Sequence, residues 1–271
     1  MDRRLTPFSG RIAHVSLRGQ IDAPLTEGKA ARLTRPLVPL LRSPGGALDR
    51  TLLFGDAVTV IDHDQGHAFV QAAKDGYCGW VEETTLGPDS PVTHRVATPA
   101  THLYAGPKVQ AEMRHPLYLN SMVQVLADDG TWAETALGFV PATHLAPLPQ
   151  PAADPASVAQ MFLGAPYLWG GNAISGLDCS GLVQLSMLAA GRPCPGDSDL
   201  QQALGRALAE DAPLQRGDLI FWKGHVAMML DGMTMIHATA HRMRVITEPL
   251  DAAIARILSK GEGPVTARRR P

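Results

Sequence analysis

The chain predicts an α+β domain at its C-terminus preceded by two small all-β barrels. Three observations point there. The N-terminal half carries one strand-and-turn pattern twice. A cluster of prolines, Pro147, Pro149, Pro151 and Pro155, then marks a linker. Beyond it, helical apolar runs come first and strand-like runs second, which is an α+β order. A length of 271 residues fits about two domains or more. The predicted division is an N-terminal extension over 1–35, barrels over 36–90 and 91–148, the α+β domain over 149–262, and a basic tail over 263–271.

The extension has no clear pattern and is expected to pack on the barrels. In the first barrel, Val58-Thr59-Val60-Ile61 leads through Asp62 to Gly66 into Ala68-Phe69-Val70. In the second, Val123-Gln124-Val125-Leu126 leads through Asp128-Asp129-Gly130 into Trp132-Ala133-Glu134. Each unit then presents Gly-aromatic-Val, Gly79-Trp80-Val81 and Gly138-Phe139-Val140, and closes on a leucine, Leu86 and Leu145. Alternating apolar residues around acidic-Gly turns describe small antiparallel sheets.

In the C-terminal half, Asp154-Pro155 before Ala156 to Leu163, with Gly164 behind, predicts a capped helix. A loop, Trp169-Gly170-Gly171, leads to Cys179 and an apolar helix from Leu182 to Ala190, closed by Gly191. Asp197-Ser198 opens a further helix through Leu208. Three strand-like runs follow: Asp218 to Trp222, Val226 to Met229, and Met233 to Ile236. Arg268-Arg269-Arg270 reads as a solvated tail.

Composition excludes several functions. Of the residues, 45 % are hydrophobic and 18 % charged, an ordinary globular mix. A net charge of −2 gives no electrostatic case for nucleic acid or an anionic membrane surface. No stretch approaches the ~18 apolar residues of a membrane helix. Met1-Asp2-Arg3-Arg4 is basic, but no continuous apolar run follows it. Three cysteines, an odd count without paired spacing, argue for a reducing compartment. The expectation is a cytoplasmic protein. No Cys-x-x-Cys or His-Glu-x-x-His occurs, and His63 and His67 fall in a turn region, so no zinc site is expected; the thiol chemistry read below needs no metal or organic cofactor. The sequence sets no oligomeric state.

The chemistry-bearing pattern is a thiol at a helix start. Free N–H groups and the helix dipole there can bring a cysteine pKa down to roughly 3.5–7.5. A cysteine nucleophile also needs a base, and the base an orienting group. A three-residue loop Leu230-Asp231-Gly232, with Gly232 left-handed, would pair Met229 with Met233 and set His225 directly opposite His237. Both rings would then share one sheet face. Taken singly, a buried cysteine or a strand histidine is more often plain packing. It is the combination that points to a thiol hydrolase.

Residues from about 155 to 245 resemble the NlpC/P60 family of papain-like cell-wall peptidases. The strings that carry the resemblance are Tyr167 to Gly171, Leu177 to Val183, Gly217 to Phe221, Gly224 to Met228, and Ile236-His237-Ala238. The two barrels resemble bacterial SH3-like (SH3b) domains. The resemblance implies Cys179 as nucleophile, His225 as base and His237 as third member of the site. It implies a murein-peptide substrate, cut between γ-D-glutamyl and a diamino acid. By the same likeness, Tyr167 stands beside the nucleophile at the oxyanion position, and Trp169 walls a pocket. Asp178, Ser180 and Ser198 would read the substrate; Ser198 is equally readable as a helix cap. In relatives with SH3b repeats, the first barrel walls off one end of the cleft and restricts the enzyme to short fragments with a free N-terminus. Asp56 and Tyr77 are then candidates to hold an α-amino group, although Asp56 also reads as a plain turn residue. Two alternatives stay open: a related thiol amidase or acyltransferase, and a wall-binding protein with an inactive peptidase scaffold.

Overall fold

Strands in the N-terminal half bury alternate residues, as a half-covered sheet requires. Val38 and Leu40 lie inside strand Leu37–Leu41 with Pro39 exposed between them. The computed structural model describes residues 1–271 and divides into two units, Met1–Leu148 and Pro149–Pro271.

In the first unit, a seven-stranded sheet runs in the order Leu48–Leu53, Leu37–Leu41, Cys78–Glu82, His67–Ala72, Ala57–Asp64, Lys29–Leu33 and Leu86–Pro88. No ladder joins its two edge strands, so hydrogen bonding does not close it into a barrel. Strand Lys29–Leu33 lies within the stretch assigned above to the extension. Only Ala31 and Leu33 of this strand enter the core, too short an alternation to read from sequence. The second repeat forms a three-stranded and a five-stranded sheet. Its core of Val96, Leu103, Leu117, Val123 and Val140 takes in Phe54 from the first repeat. Gly55 makes that approach possible: its φ is +79°, and a Cβ there would stand 2.2 Å from Met122 O.

The N-terminal extension does pack on the first sheet. Ile12 lies against Ile61, Phe69, Cys78 and Trp80. Arg3 pairs with buried Asp49 at 2.6 Å, and Arg11 with buried Asp62 at 3.1 Å.

The second unit begins with helix α1 (Pro155–Gln160), where Asp154 accepts hydrogen bonds from the N–H groups of Ala156 and Ser157. Helix α2 (Cys179–Ala189) is buried almost throughout. Helix α3 (Ser198–Gln201) is a single turn, not the longer helix expected through Leu208. Gly205, at φ +56°, turns the chain away where it meets Arg270 O. Helix α4 (Leu250–Ser259) lies near the C-terminus. A six-stranded sheet runs in the order Arg206–Ala207, Ala267–Arg270, Leu219–Trp222, His225–Met229, Thr234–Thr239 and Arg244–Pro249. The basic tail is therefore an inner strand and not solvated disorder. Its Arg270 forms a two-point ion pair with the Asp218 carboxylate, at 2.7 and 2.8 Å.

Leu250, Ala253 and Ile257 of α4 cover one sheet face, against Ile220, Trp222, Ala227, Met229 and Met235. Helix α2 packs on strands His225–Met229 and Thr234–Thr239. No helix is long and apolar enough to cross a membrane.

Candidate active site

Cys179 is the first residue of α2, and the N-cap is Asp178. One Asp178 oxygen accepts from Gly181 N at 2.7 Å and Ser180 Oγ at 2.8 Å; the other accepts from Gly170 N at 2.9 Å. One carboxylate thus caps the helix and ties down the loop carrying Trp169. Gly181 lets that loop touch the helix, because a Cβ there would stand 2.5 Å from Gly171 O. These bonds engage Asp178 and Ser180, two of the three residues expected to read substrate, in local structure.

The Cys179 thiol is buried. Burial, followed by the negative charge of Asp178, pushes it up to about 12. The backbone N–H groups of Val226, Ser180 and Cys179 act the other way and are outweighed. Desolvation thus works against the depression that a helix terminus offers. Burial also pulls His225 down to about 3, reinforced by His237 and Arg256 and opposed by Glu248. Both shifts favour the neutral forms, a thiol and an imidazole.

The histidine pair sits on strands His225–Met229 and Thr234–Thr239. His225 Nε2 lies 2.8 Å from His237 Nδ1. The register differs from expectation: Met229 pairs with Met235, not Met233. The loop slides one residue, to Asp231-Gly232-Met233, because Asp231 Oδ1 accepts from Met233 N and Thr234 N at 2.8 and 2.7 Å. Gly232 is not left-handed. A register shift of two keeps every side chain on its face, so the rings still meet, diagonally instead of directly opposite. The His225 ring packs on Trp222, centroids 5.7 Å apart.

Two residues that sequence reasoning missed stand behind the pair. Glu248 Oε1 lies 2.9 Å from His237 Nε2, somewhat off the ring N–H direction, and Arg256 of α4 pairs with the same oxygen. The signal lay in Arg244 to Glu248, a strand-like run returning beside His237. Glu248 pairs with Met235 in that register, diagonal to His237.

Tyr167 is positioned by a bridge to Leu177, two residues before the thiol. Burial, then the charges of Cys179 and Asp178, push its hydroxyl well above the ordinary tyrosine value. Trp169 is 64 % exposed, an uncovered indole on the loop beside the nucleophile. Ser198 is buried at the start of α3, but the cap position belongs to Asp197, which makes no side-chain cap bond.

Asp56 and Tyr77 are engaged within the first unit. The Asp56 carboxylate accepts from Leu53 N at 2.9 Å and pairs with Lys74 at 2.6 Å, which is the turn role. Tyr77 is 1 % exposed, in the sheet core, with Arg50 over its ring. The structure offers neither as the free carboxylate and phenol that an incoming ammonium would need. Cys78 and Cys194 are buried free thiols. No group of three or more His, Cys, Asp or Glu side chains converges as a metal site.

A thiol at a helix start beside a histidine pair on a sheet defines the class, a cysteine hydrolase. Residues 164–256 match the NlpC/P60 family and residues 40–86 the bacterial dipeptidyl-peptidase SH3 domain. A γ-D-glutamyl-L-lysine dipeptidyl-peptidase of Bacillus cereus is 31 % identical over 75 % of this chain and 71 % of its own length. The enzyme of that name from Bacillus subtilis is 28 % identical over 64 % of each chain. The crystal structure of an NlpC/P60 family protein from Bacillus cereus shares the fold, with a TM-score of 0.77 and 24 % identity over 89 % of this chain and 99 % of that one. The chain belongs to the NlpC/P60 family and is a peptidase with a bacterial SH3 domain ahead of its catalytic unit.

Proposed function

We propose that the protein is a cysteine peptidase that hydrolyses the bond between γ-D-glutamate and a diamino acid, lysine or meso-diaminopimelate, in peptidoglycan stem peptides. Its substrates are short murein fragments with a free N-terminus, of the kind released in cell-wall recycling. The observation that carries this reading is Cys179 at the start of α2 together with the His225–His237 pair at 2.8 Å. The dipeptidyl-peptidase name of relatives matching most of the chain supports the bond assigned. Three unpaired cysteines agree with work in a reducing compartment.

In this reading, Cys179 passes its proton to His225 as sulfur adds to the γ-carbonyl carbon. The N–H groups at the start of α2, together with Tyr167, receive the developing oxyanion. His225 returns the proton to the departing amine, leaving a thioester on Cys179. Water, deprotonated by His225, then splits the thioester and restores the thiol. Coupling proton loss to attack suits a buried thiol pushed up to about 12. Trp169 supplies an apolar wall for the peptide.

The test is L-Ala-γ-D-Glu-L-Lys, and its diaminopimelate counterpart, with a free or an acetylated N-terminus. The expected outcome is release of the diamino acid from the free peptide at least ~10-fold faster than from the acetylated one, about the worth of one charge-assisted hydrogen bond to the substrate's ammonium. Equal rates would remove the free-N-terminus requirement. No release from either would remove the bond assignment.

A further inference from the structure

We infer that Glu248, held by Arg256, is a positioning residue that sets the tautomer of both site histidines and so decides that His225 keeps its lone pair on Nδ1, the nitrogen not engaged by His237. This rests on the proposed roles of Cys179 and His225.

The histidine contact can be made in two ways. Either His225 Nε2–H donates to His237 Nδ1, or His237 Nδ1–H donates to His225 Nε2; the 2.8 Å separation fits both. A neutral imidazole has one N–H and one lone pair, so choosing at one nitrogen fixes the other. In the first arrangement His237 carries its proton on Nε2, facing Glu248 Oε1 at 2.9 Å. In the second a lone pair would face that carboxylate, and the His237 side chain is fully buried, where such repulsion is poorly screened.

Glu248 stays ionised. Its close contact with His237, and the hydrogen bond and charge of Arg256, overcome partial burial and hold it down at about 2. The first arrangement follows. His225 then has its proton on Nε2, and its one lone pair, on Nδ1, is left for the Cys179 proton. When His225 becomes an imidazolium, it still donates from Nε2 to His237, and the carboxylate lies behind that bond.

Arg256 explains why the carboxylate can be trusted to stay. It reaches Glu248 from α4, a separate element whose apolar residues lock it on the sheet. The carboxylate is therefore fixed from both sides, by the helix and by its own strand, Arg244–Pro249.

The experiment uses the full chain with ¹⁵N-labelled histidine, as wild type, Glu248→Gln and Glu248→Ala. Nitrogens that bear a proton and those that bear a lone pair resonate far apart, so NMR reads each tautomer directly. The expected wild-type signature is protonated Nε2 on both His225 and His237. Glu248→Ala should mix the tautomers and slow alkylation of Cys179 by iodoacetamide at pH 7 several-fold. On L-Ala-γ-D-Glu-L-Lys, kcat should fall about 10- to 100-fold with KM unchanged, part of what general acid–base catalysis contributes. Glu248→Gln keeps the side chain's shape and should fall between the two, and it serves if the alanine variant does not fold. A lone pair on His237 Nε2 in the wild type would overturn the inference, as would unchanged tautomers and alkylation in both variants. If the wild type cleaves no γ-D-glutamyl peptide yet Glu248→Gln shifts the tautomers, the substrate reading fails and the positioning role stands.

Discussion

The two units differ in what their paired charges leave open. In the first, each buried carboxylate meets a cation and is closed off. Asp49 takes Arg3 and Arg42, Asp62 takes Arg11, Asp75 takes Arg50, and Asp56 takes Lys74. The second has one such closed pair, Asp218 with Arg270, but also a run of contacts from His225 through buried His237 to half-buried Glu248 and Arg256, with a thiol at its open end. Closed pairs hold the extension and turns onto a sheet. An open chain leaves one proton acceptor without a permanent partner, which is what a nucleophile needs. The same residue types therefore give stability in one unit and reactivity in the other.

Removing the open end should cost the most. Cys179→Ala is expected to lower kcat/KM by about 10⁵-fold or more, the loss typical of a deleted nucleophile. Its melting temperature should stay close to wild type, because alanine fills most of the space at the helix start. An active Cys179→Ala enzyme would place the chemistry elsewhere. In the first unit the costs should reverse. Arg50 and Asp75 are nearly inaccessible, with side-chain exposures of 5 % and 0 %. Arg50→Met leaves a buried carboxylate unpaired and is expected to destabilise the first unit by about 3–5 kcal/mol. Denaturant unfolding would read that loss, and turnover at low temperature should stay near wild type. A stable Arg50→Met protein would mean that this pair is not closed in the sense argued here.

What the sequence made legible follows from how local each signal is. Asp154-Pro155 predicts the cap of α1 because acceptor and donors lie within three residues. Cys179 could be placed at a helix start for the same reason. The His225–His237 meeting was also legible, although through a register that is wrong by two. The side-chain period of a strand forgives an even error, whereas one residue of slip would have put the rings on opposite faces. Asp231 decided the register by capping two N–H groups, a choice that competes with the glycine turn. Glu248 was missed although its strand returns directly beside the one that carries His237, because the strand-like run Arg244 to Glu248 was not read. Arg270 was out of reach, since it meets Asp218 across 52 residues. A run of arginines at a chain end looks solvated until a buried carboxylate is placed beside it. Asp56 and Tyr77 show the converse. Their residue types suit an ammonium site, but Lys74 and the sheet core hold them.

The smallest effect concerns pH, and it divides the units most sharply. His225 is held at about 3, against an ordinary value of 6.5, chiefly by burial. A folded-state pKa below the unfolded one means that the unfolded chain binds the extra proton first. Stability should therefore fall as pH drops below 6.5 and keep falling toward 3. His241, lowered by desolvation and Lys260, acts in the same direction within the same unit. The buried carboxylates of the first unit with depressed values, Asp49 and Asp62, start from 3.8, as do exposed Asp2 and Asp129, and lose their contribution only below that. Between pH 6.5 and about 4.5, acid should thus weaken the peptidase unit and leave the first unit untouched. Hydrogen exchange followed across that window would show amides of α2 and strand His225–Met229 losing protection while those of strand His67–Ala72 do not. His225→Asn should flatten the loss. The same depression predicts that kcat/KM holds through pH 6.5, with its acid limb well below the ordinary histidine value, since the base stays neutral there. Equal acid loss in both units, or an acid limb at 6.5, would show that His225 is not desolvated as the open chain requires. Above pH 9.0 the contrast should vanish, because burial pushes Cys78 in the first unit and Cys179 in the second both up to about 12, and each unit then loses stability as its thiol would ionise on unfolding.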